Sequence, residues 1–123
     1  MTSHFFLHCK VAWKIWVDIQ LWLEVNMVTP SNLLTHWRCW DGLGQNTKEL
    51  KRGFRIIWHA SIWAIWKTRN NIIFNNAGIE VQEVVEEIKM LSWKWNLSRL
   101  KIQVCLFYEW CWDPKWCMGV LRH

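Results

Sequence analysis

A histidine and a cysteine near the start of the chain have the spacing of metal ligands. His4 and Cys9 form an H-x4-C pair, and an imidazole with a thiolate can supply two of the four ligands of a tetrahedral zinc site. Only three residues precede His4, so no Cys-x-x-Cys stands before it. The pair is therefore predicted to be an incomplete half site, which binds zinc only if upstream cysteines are supplied. The alternative is a surface histidine and a buried cysteine at the start of a helix.

The other cysteines do not suggest ligands that would complete this site. Cys105, Cys111 and Cys117 are six residues apart, with Pro114 among them, whereas zinc knuckles space their ligands by two to four residues. With Cys9 and Cys39 the chain has five cysteines, an odd number, and it begins with no secretory signal pattern. These features predict free thiols in an intracellular protein of the nucleus or cytoplasm, and not a disulfide framework in a secreted one.

Residue patterns that carry catalysis are missing from the sequence. The three aspartates Asp18, Asp41 and Asp113 are isolated from one another, which leaves little for a carboxylate site that holds a divalent metal. The glycine-containing residues 42–46 lack the Gly-Lys-Ser/Thr of a phosphate loop. His59 lies within an apolar segment and is expected to be a core or capping histidine, not a general base. We therefore predict that this chain is not an enzyme.

Basic residues indicate a different kind of chemistry, contact with nucleic acid. The chain carries 15 Lys and Arg against 10 Asp and Glu, a net charge of +5, and 13 tryptophans. Lysine and arginine side chains interleaved with tryptophans can contact phosphates and stack on unpaired bases. Cations at a helix N-terminus oppose the helix dipole, which is an argument for a phosphate partner; the alternative is a solvated cationic face. The candidate residues for binding RNA or single-stranded DNA are Lys48, Lys51, Arg52, Arg55, Lys67 and Arg69.

The elements that must position these residues are helices. Apolar residues recur at helical spacing, and residues of turns and caps separate the periodic segments. We predict three long helices, at residues 9–25, 48–75 and 80–100, and a short helix at 32–40. The C-terminal residues from 102 onwards mix β-prone and aromatic side chains around Asp113-Pro114, which predicts an irregular, extended strap over the helices. The predicted fold is a single all-α domain spanning residues 1–123.

The helix at residues 48–75 is expected to be central and the most buried of the bundle, because it is apolar around most of its circumference. Gly53 is its one weak point. The longest stretch of this helix without a formal charge, residues 56–66, has eleven residues, and the longest in the chain, residues 25–37, has thirteen, both far fewer than the about 20 that cross a bilayer. We therefore predict no transmembrane span. The apolar residues of one face are Leu50, Phe54, Ile57, Trp58, Ile65 and Ile72, with Ile56, Trp63 and Phe74 opposite.

Several segments together resemble the region downstream of the polymerase domain in plant LINE-type, non-LTR retrotransposon reverse transcriptases. The first 25 residues are similar to the second half of the zinc-binding domain of that family, which places His4 and Cys9 in its last two ligand positions. Residues 26–123 are similar to the helical tail that follows. The segments that carry the resemblance are SHFFLHC (3–9) with the following Val-Ala and Ile-Trp pairs, IWAIWKTRNNIIFN (62–75), SWKW (92–95) and CLFYEW (105–110).

The resemblance implies a non-catalytic C-terminal fragment of an RNA-directed DNA polymerase, whose ancestral role is to help bind template RNA or target DNA. The first zinc cysteine pair, the paired aspartates of the polymerase and the carboxylates of an RNase H are all missing from this sequence, so the activity of the family does not transfer. The alternative is a tryptophan-rich helical module that self-associates or binds a protein partner through its central helix, with no role in nucleic-acid binding.

Overall fold

The computed structural model describes residues 4–44, 47–75, 78–100 and 105–119. These residues form a small all-α bundle without strands, which confirms the predicted fold class. A π-helical turn, His4–His8, leads into the first helix. The helices are α1 (Lys10–Leu23), α2 (Leu33–Gly42), α3 (Lys48–Asn75), α4 (Val81–Leu100), α5 (Phe107–Trp112) and α6 (Pro114–Cys117).

Local capping explains why the first four helices lie within two residues of their predicted bounds. Cys9 is the N-cap of α1, where its Sγ accepts the N–H of Ala12 at 3.4 Å. Asn32 caps α2 through a 2.9 Å bond from the N–H of Thr35. Each cap satisfies a backbone donor that the helix itself leaves unpaired, and such signals can be recognised in the sequence.

The C-terminal segment was predicted to be an extended strap, and this prediction is wrong for residues 105–119, most of which form α5 and α6. Glu109, in the first turn of α5, accepts the N–H of Leu106 through Oε1 at 2.9 Å. Asp113 caps α6, with Pro114 at its first position and the N–H of Trp116 donating to Asp113 Oδ1 at 3.2 Å. Asp113-Pro114 is therefore the start of a helix, since proline suits a first helical turn.

Two cysteines also depart from the prediction that all five are free thiols. Cys105 and Cys117 are joined by a disulfide, with their Cα atoms 5.9 Å apart. The chain reverses direction where α5 meets α6, and this turn brings together two residues that lie 12 positions apart. Cys9, Cys39 and Cys111 are free, and burial raises the pKa of the Cys111 thiol.

The tryptophans hold the bundle together through their indole N–H groups as well as their apolar surface. A buried indole needs a hydrogen-bond partner for its one donor, and here that partner usually belongs to another element. The donor and acceptor pairs are Trp16 with Phe6 O (2.7 Å), Trp22 with Cys111 O (3.0 Å), Trp40 with Phe54 O (2.8 Å), Trp58 with His36 Nδ1 (2.9 Å), Trp93 with Cys105 O (2.7 Å) and Trp110 with Ser92 Oγ (3.2 Å).

One side of α3 is buried and the other is not. Phe54, Ile57 and Trp58 belong to the core, as predicted, because α2 and α4 cover that side. Trp63 and Trp66 are 43% and 46% exposed. The helix predicted to be central and most buried is therefore covered on one side and exposed on the other. Ile72, expected on the buried face, is 37% exposed, and the Phe74 side chain falls outside the described residues. No helix of the described part is long and apolar enough to cross a membrane.

Gly44 is expected to be the least replaceable of the glycines. A Cβ atom there would lie 2.8 Å from Lys51 Cα and 3.2 Å from Leu50 O, which are backbone atoms of α3 that cannot rotate away. We expect Gly44→Ala to lower the free energy of unfolding by about 1–3 kcal/mol, measured by urea denaturation followed by circular dichroism. Gly78→Ala is the control, since no atom lies within 4 Å of its Cβ position. An equal effect of both substitutions would contradict this close approach.

Candidate nucleic-acid interface

The exposed side of α3 forms a continuous line of basic and aromatic side chains, here named the α3 stripe. Its members are three or four residues apart, so they lie on one face of the helix, and all of them are exposed. The first and last members are 18 residues apart in the sequence, which is about 27 Å along the helix. The stripe consists of Lys48, Arg52, Arg55, His59, Trp63 and Trp66.

Trp63 and Trp66 are the aromatic part of the stripe. Their rings are stacked, with centroids 5.2 Å apart and planes inclined by 25°, and nearly half of each side chain is in solvent. Two adjacent indoles that expose this much surface offer a π-face to a flat ligand. Base–aromatic stacking of this kind is the usual way in which single strands are held.

Two of the predicted basic residues are engaged by carboxylates. Arg55 donates from Nε to Asp41 Oδ1 at 2.6 Å and from Nη2 to Oδ2 at 3.2 Å. This two-bond contact holds the pKa of Asp41 below its usual range and raises the pKa of Arg55. Lys67 Nζ lies 3.2 Å from Glu87 Oε1, so Lys67 is directed toward α4, away from the stripe. Both cations are therefore partly neutralised, and Arg55 also ties α2 to α3.

The structure thus brings together some of the six predicted basic residues and separates others. Lys48 and Arg52 are exposed on the stripe, and within the described residues neither forms an ion pair. Lys51 is half-buried beside the stripe, and Arg69 is exposed beyond the tryptophan pair. The stripe therefore has its free positive charge at the N-terminal end and its stacking surface about four turns along the helix.

The predicted zinc half site is only partly described. Cys9 is half-buried and its sulfur is used as the cap of α1. The backbone of His4 begins the π-helical turn, whereas its side chain lies outside the described residues. Across residues 4–44, 47–75, 78–100 and 105–119, no three His, Cys, Asp or Glu side chains are grouped as a metal site would require. Zinc binding by His4 and Cys9 stays a prediction.

The prediction for His59 is wrong, and the stacked pair was not predicted. His59, expected in the core or at a cap, is exposed, and its ring lies 5.4 Å from those of Trp37 and Trp58. Among the histidines whose side chains the structure describes, His36 is fully buried. The signal for the stacked pair was the three-residue spacing of Trp63 and Trp66, which places two neighbouring side chains on the same face of a helix.

Comparisons with models of protein families, with curated proteins and with solved structures found no match to this chain. The similarity to reverse-transcriptase tails therefore rests on the sequence motifs alone. The geometry of the α3 stripe is the independent ground for assigning a function.

Proposed function

We propose that this chain binds single-stranded RNA or DNA along the α3 stripe and does not catalyse a reaction on it. The observation that carries the proposal is the stacked, exposed pair Trp63 and Trp66, in line on one helix face with the exposed cations Lys48 and Arg52. A stacking surface and a set of phosphate contacts along one line are what an extended, unpaired strand requires.

The two parts of the stripe would contribute different properties. Contacts of Lys48, Arg52 and Lys51 with phosphates release counterions, so affinity falls as the salt concentration rises. On a single strand, the slope of log affinity against log salt concentration becomes steeper by about 0.7 for each phosphate neutralised. Stacking on Trp63 and Trp66 accepts every base, because each base has a π-face. The expected interaction is therefore tolerant of sequence, weaker in high salt and selective for single strands over duplexes.

The family resemblance supports the same role. Both stripe tryptophans lie in the residue 62–75 segment that is similar to tails of plant LINE-type reverse transcriptases. We propose that the chain corresponds to such a non-catalytic tail, which helps to hold template RNA or target DNA in the nucleus or cytoplasm. Those compartments keep most thiols reduced, whereas Cys105 and Cys117 are disulfide-bonded. The redox state of these cysteines in the native protein tests the compartment separately from the binding.

Replacing both stripe tryptophans is expected to weaken binding of a fluorescein-labelled uridine or thymidine 12-mer by at least about 30-fold, since each of the two stacked bases contributes about 1–3 kcal/mol. Fluorescence anisotropy of the labelled strand measures the dissociation constant of the Trp63→Ala/Trp66→Ala variant. Trp112→Ala is the matched control, because Trp112 is 88% exposed and lies on α5. The proposal fails if the wild-type chain does not bind at low salt, or if the double variant binds as well as the control.

A second candidate function uses the same exposed tryptophans. A pair of apolar rings on a surface also suits contact between two copies of the chain or with a protein partner. Multi-angle light scattering separates the two readings. A wild-type dimer that the Trp63→Ala/Trp66→Ala substitution converts to a monomer would favour the interaction module, whereas a monomer that binds the 12-mer supports the nucleic-acid interface.

A further inference from the structure

The two C-terminal helices border an open cleft whose charge is opposite in sign to the net charge of the chain. This C-terminal cleft has a volume of 280 Å³ and is lined by Tyr108, Glu109, Trp112, Asp113 and Trp116. Three of these residues are aromatic, two are acidic and none is basic, in a chain with a net charge of +5. The lining therefore selects for a positively charged ligand with an apolar surface.

The aromatic side chains of the cleft are unusually exposed. Trp112 is 88% exposed and Tyr108 is 69% exposed, and both lie on α5 four residues apart, on the same side of the helix. Trp116 is half-buried and comes from α6. Packing in the core does not explain these two rings. An aromatic ring left in water does not gain the free energy that its burial would provide.

The two carboxylates are held in place by their own helices. One oxygen of each is used as a cap: Glu109 Oε1 accepts the N–H of Leu106 and Asp113 Oδ1 accepts the N–H of Trp116. The second oxygens, Glu109 Oε2 and Asp113 Oδ2, have no hydrogen-bond donor within the part of the chain that the structure describes. The negative charge of both groups is thus fixed at the cleft.

The helices that carry the cleft are fastened to the bundle. The disulfide between Cys105 and Cys117 closes the segment that contains them. Trp110 on α5 is buried and donates to Ser92 Oγ of α4, while Trp22 of α1 donates to Cys111 O. A site built on a fixed backbone loses less entropy when it binds a ligand.

We propose that the C-terminal cleft binds a quaternary ammonium group. Methyl groups around a cation pack against aromatic rings, which attract the charge through their quadrupoles, and the fixed carboxylates of Glu109 and Asp113 supply the counter-charge. Such a cation has no N–H to donate, so it binds through contact with aromatic faces and attraction to negative charge, and not through directed hydrogen bonds. Trimethylated lysine in a peptide and a choline headgroup share this chemistry.

The first test is a titration of the 15N-labelled protein with tetramethylammonium, followed through the indole N–H signals of the tryptophans. Saturable shifts of the Trp112 and Trp116 signals are expected, and neopentyl alcohol, which has nearly the same shape without the charge, should bind at least tenfold more weakly. Equal binding of the cation and the neutral molecule would overturn the proposal.

Variants assign the binding to this cleft. Trp112→Ala should weaken tetramethylammonium binding at least tenfold, and this exposed position leaves the fold intact. Glu109→Gln and Asp113→Asn keep a side-chain oxygen for each cap and remove the charge, so each should weaken binding severalfold. Trp13→Ala, at a 51% exposed position on α1, is the control and should leave the affinity unchanged. Wild-type affinity in the Trp112→Ala variant would contradict the assignment.

Pairs of methylated and unmethylated ligands then show whether the natural ligand is trimethyllysine or a choline headgroup. A trimethyllysine peptide is compared with the same peptide carrying lysine, and phosphocholine with phosphoethanolamine. At least one methylated member should bind tenfold more tightly than its counterpart, and that member identifies the source. If neither pair shows this preference, the cleft does not recognise a quaternary ammonium group.

Discussion

Between pH 7 and pH 4 the free energy of unfolding is expected to fall by about 3 kcal/mol, because His36 is buried in its neutral form. Burial, with a smaller repulsion from His8, lowers the pKa of His36 from 6.5 to about 4. Its side chain is fully buried between Trp16, Trp40 and Trp58, with ring centroids 4.5–6.3 Å away.

Hydrogen bonding acts in the same direction as burial. Trp58 Nε1 donates to His36 Nδ1 at 2.9 Å, which assigns the single proton of the neutral ring to Nε2. Nε2 has no hydrogen-bond partner within the described residues. A second proton would have to occupy Nδ1 and would displace the Trp58 N–H. The charged ring would thus lose a hydrogen bond at a fully buried position.

The direction in which stability changes with pH depends on which state, folded or unfolded, binds the proton of His36 at the higher pH. The unfolded chain takes up this proton near the ordinary histidine pKa of 6.5, and the folded chain takes it up only near pH 4. Between these values the unfolded state binds more protons, so stability rises with pH across this window and levels off above it. Urea denaturation at a series of pH values, followed by circular dichroism, measures the profile.

Two substitutions serve as controls for the titration. His36→Asn keeps an acceptor for the Trp58 N–H without a titrating group, so it is expected to be less stable at pH 7 but to lose most of the slope between pH 4 and 6.5. His59→Asn, at an exposed position, should keep the slope of the wild type. A flat wild-type profile, or an unchanged slope in His36→Asn, would show that His36 does not control acid stability.

Trp40→Ala is expected to lower the free energy of unfolding by about 3–5 kcal/mol, the range for removing a large aromatic side chain from a core. Trp40 is fully buried, packs edge-on against Trp16 at 5.5 Å and donates to Phe54 O at 2.8 Å. It therefore joins α2 to α3 by both packing and a hydrogen bond. A small domain is stable by only about 5–15 kcal/mol, so this single change removes a large share.

Trp40→Phe keeps the chain folded for measurement, because it retains most of the apolar surface and loses the indole N–H. The expected loss is about 1–3 kcal/mol, from one hydrogen bond and a small cavity. Trp112→Ala, which removes the same side chain from an 88% exposed position, should change stability by less than about 0.5 kcal/mol. Equal losses in Trp40→Ala and Trp112→Ala would mean that the two sites do not differ in burial.

The sequence alone was sufficient to place the four main helices. The bounds of α3, Lys48–Asn75, agree with the prediction at both ends. Helix ends depend on neighbours within a few residues, such as Asn32 at the start of α2 and Asn75 at the end of α3, and this local information is present in the sequence. The same kind of signal was present but overlooked at Asp113-Pro114, where α6 begins.

Burial could not be predicted in the same way. Periodicity placed Trp58 and Trp63 on opposite faces of α3, but both faces are apolar, so the sequence did not determine that the face of Trp58 is buried and that of Trp63 exposed. The identity of the buried histidine depended on the same choice, since His36 is enclosed by tryptophans of α1, α2 and α3. The position of the candidate interface also depends on which face of α3 is covered, because only the face that α2 and α4 leave uncovered can contact a ligand.

Gly53 shows the division between local and tertiary information. The sequence identifies it as a weak point in a long helix, because glycine has a low helix propensity. The structure gives the reason for its presence: a Cβ at this position would overlap with Sδ of the buried Met118. The sequence therefore determined which segments are helical through local caps and periodicity. Only the tertiary structure decided which faces meet, because that depends on residues far apart in the chain, such as Gly53 with Met118 and Cys105 with Cys117.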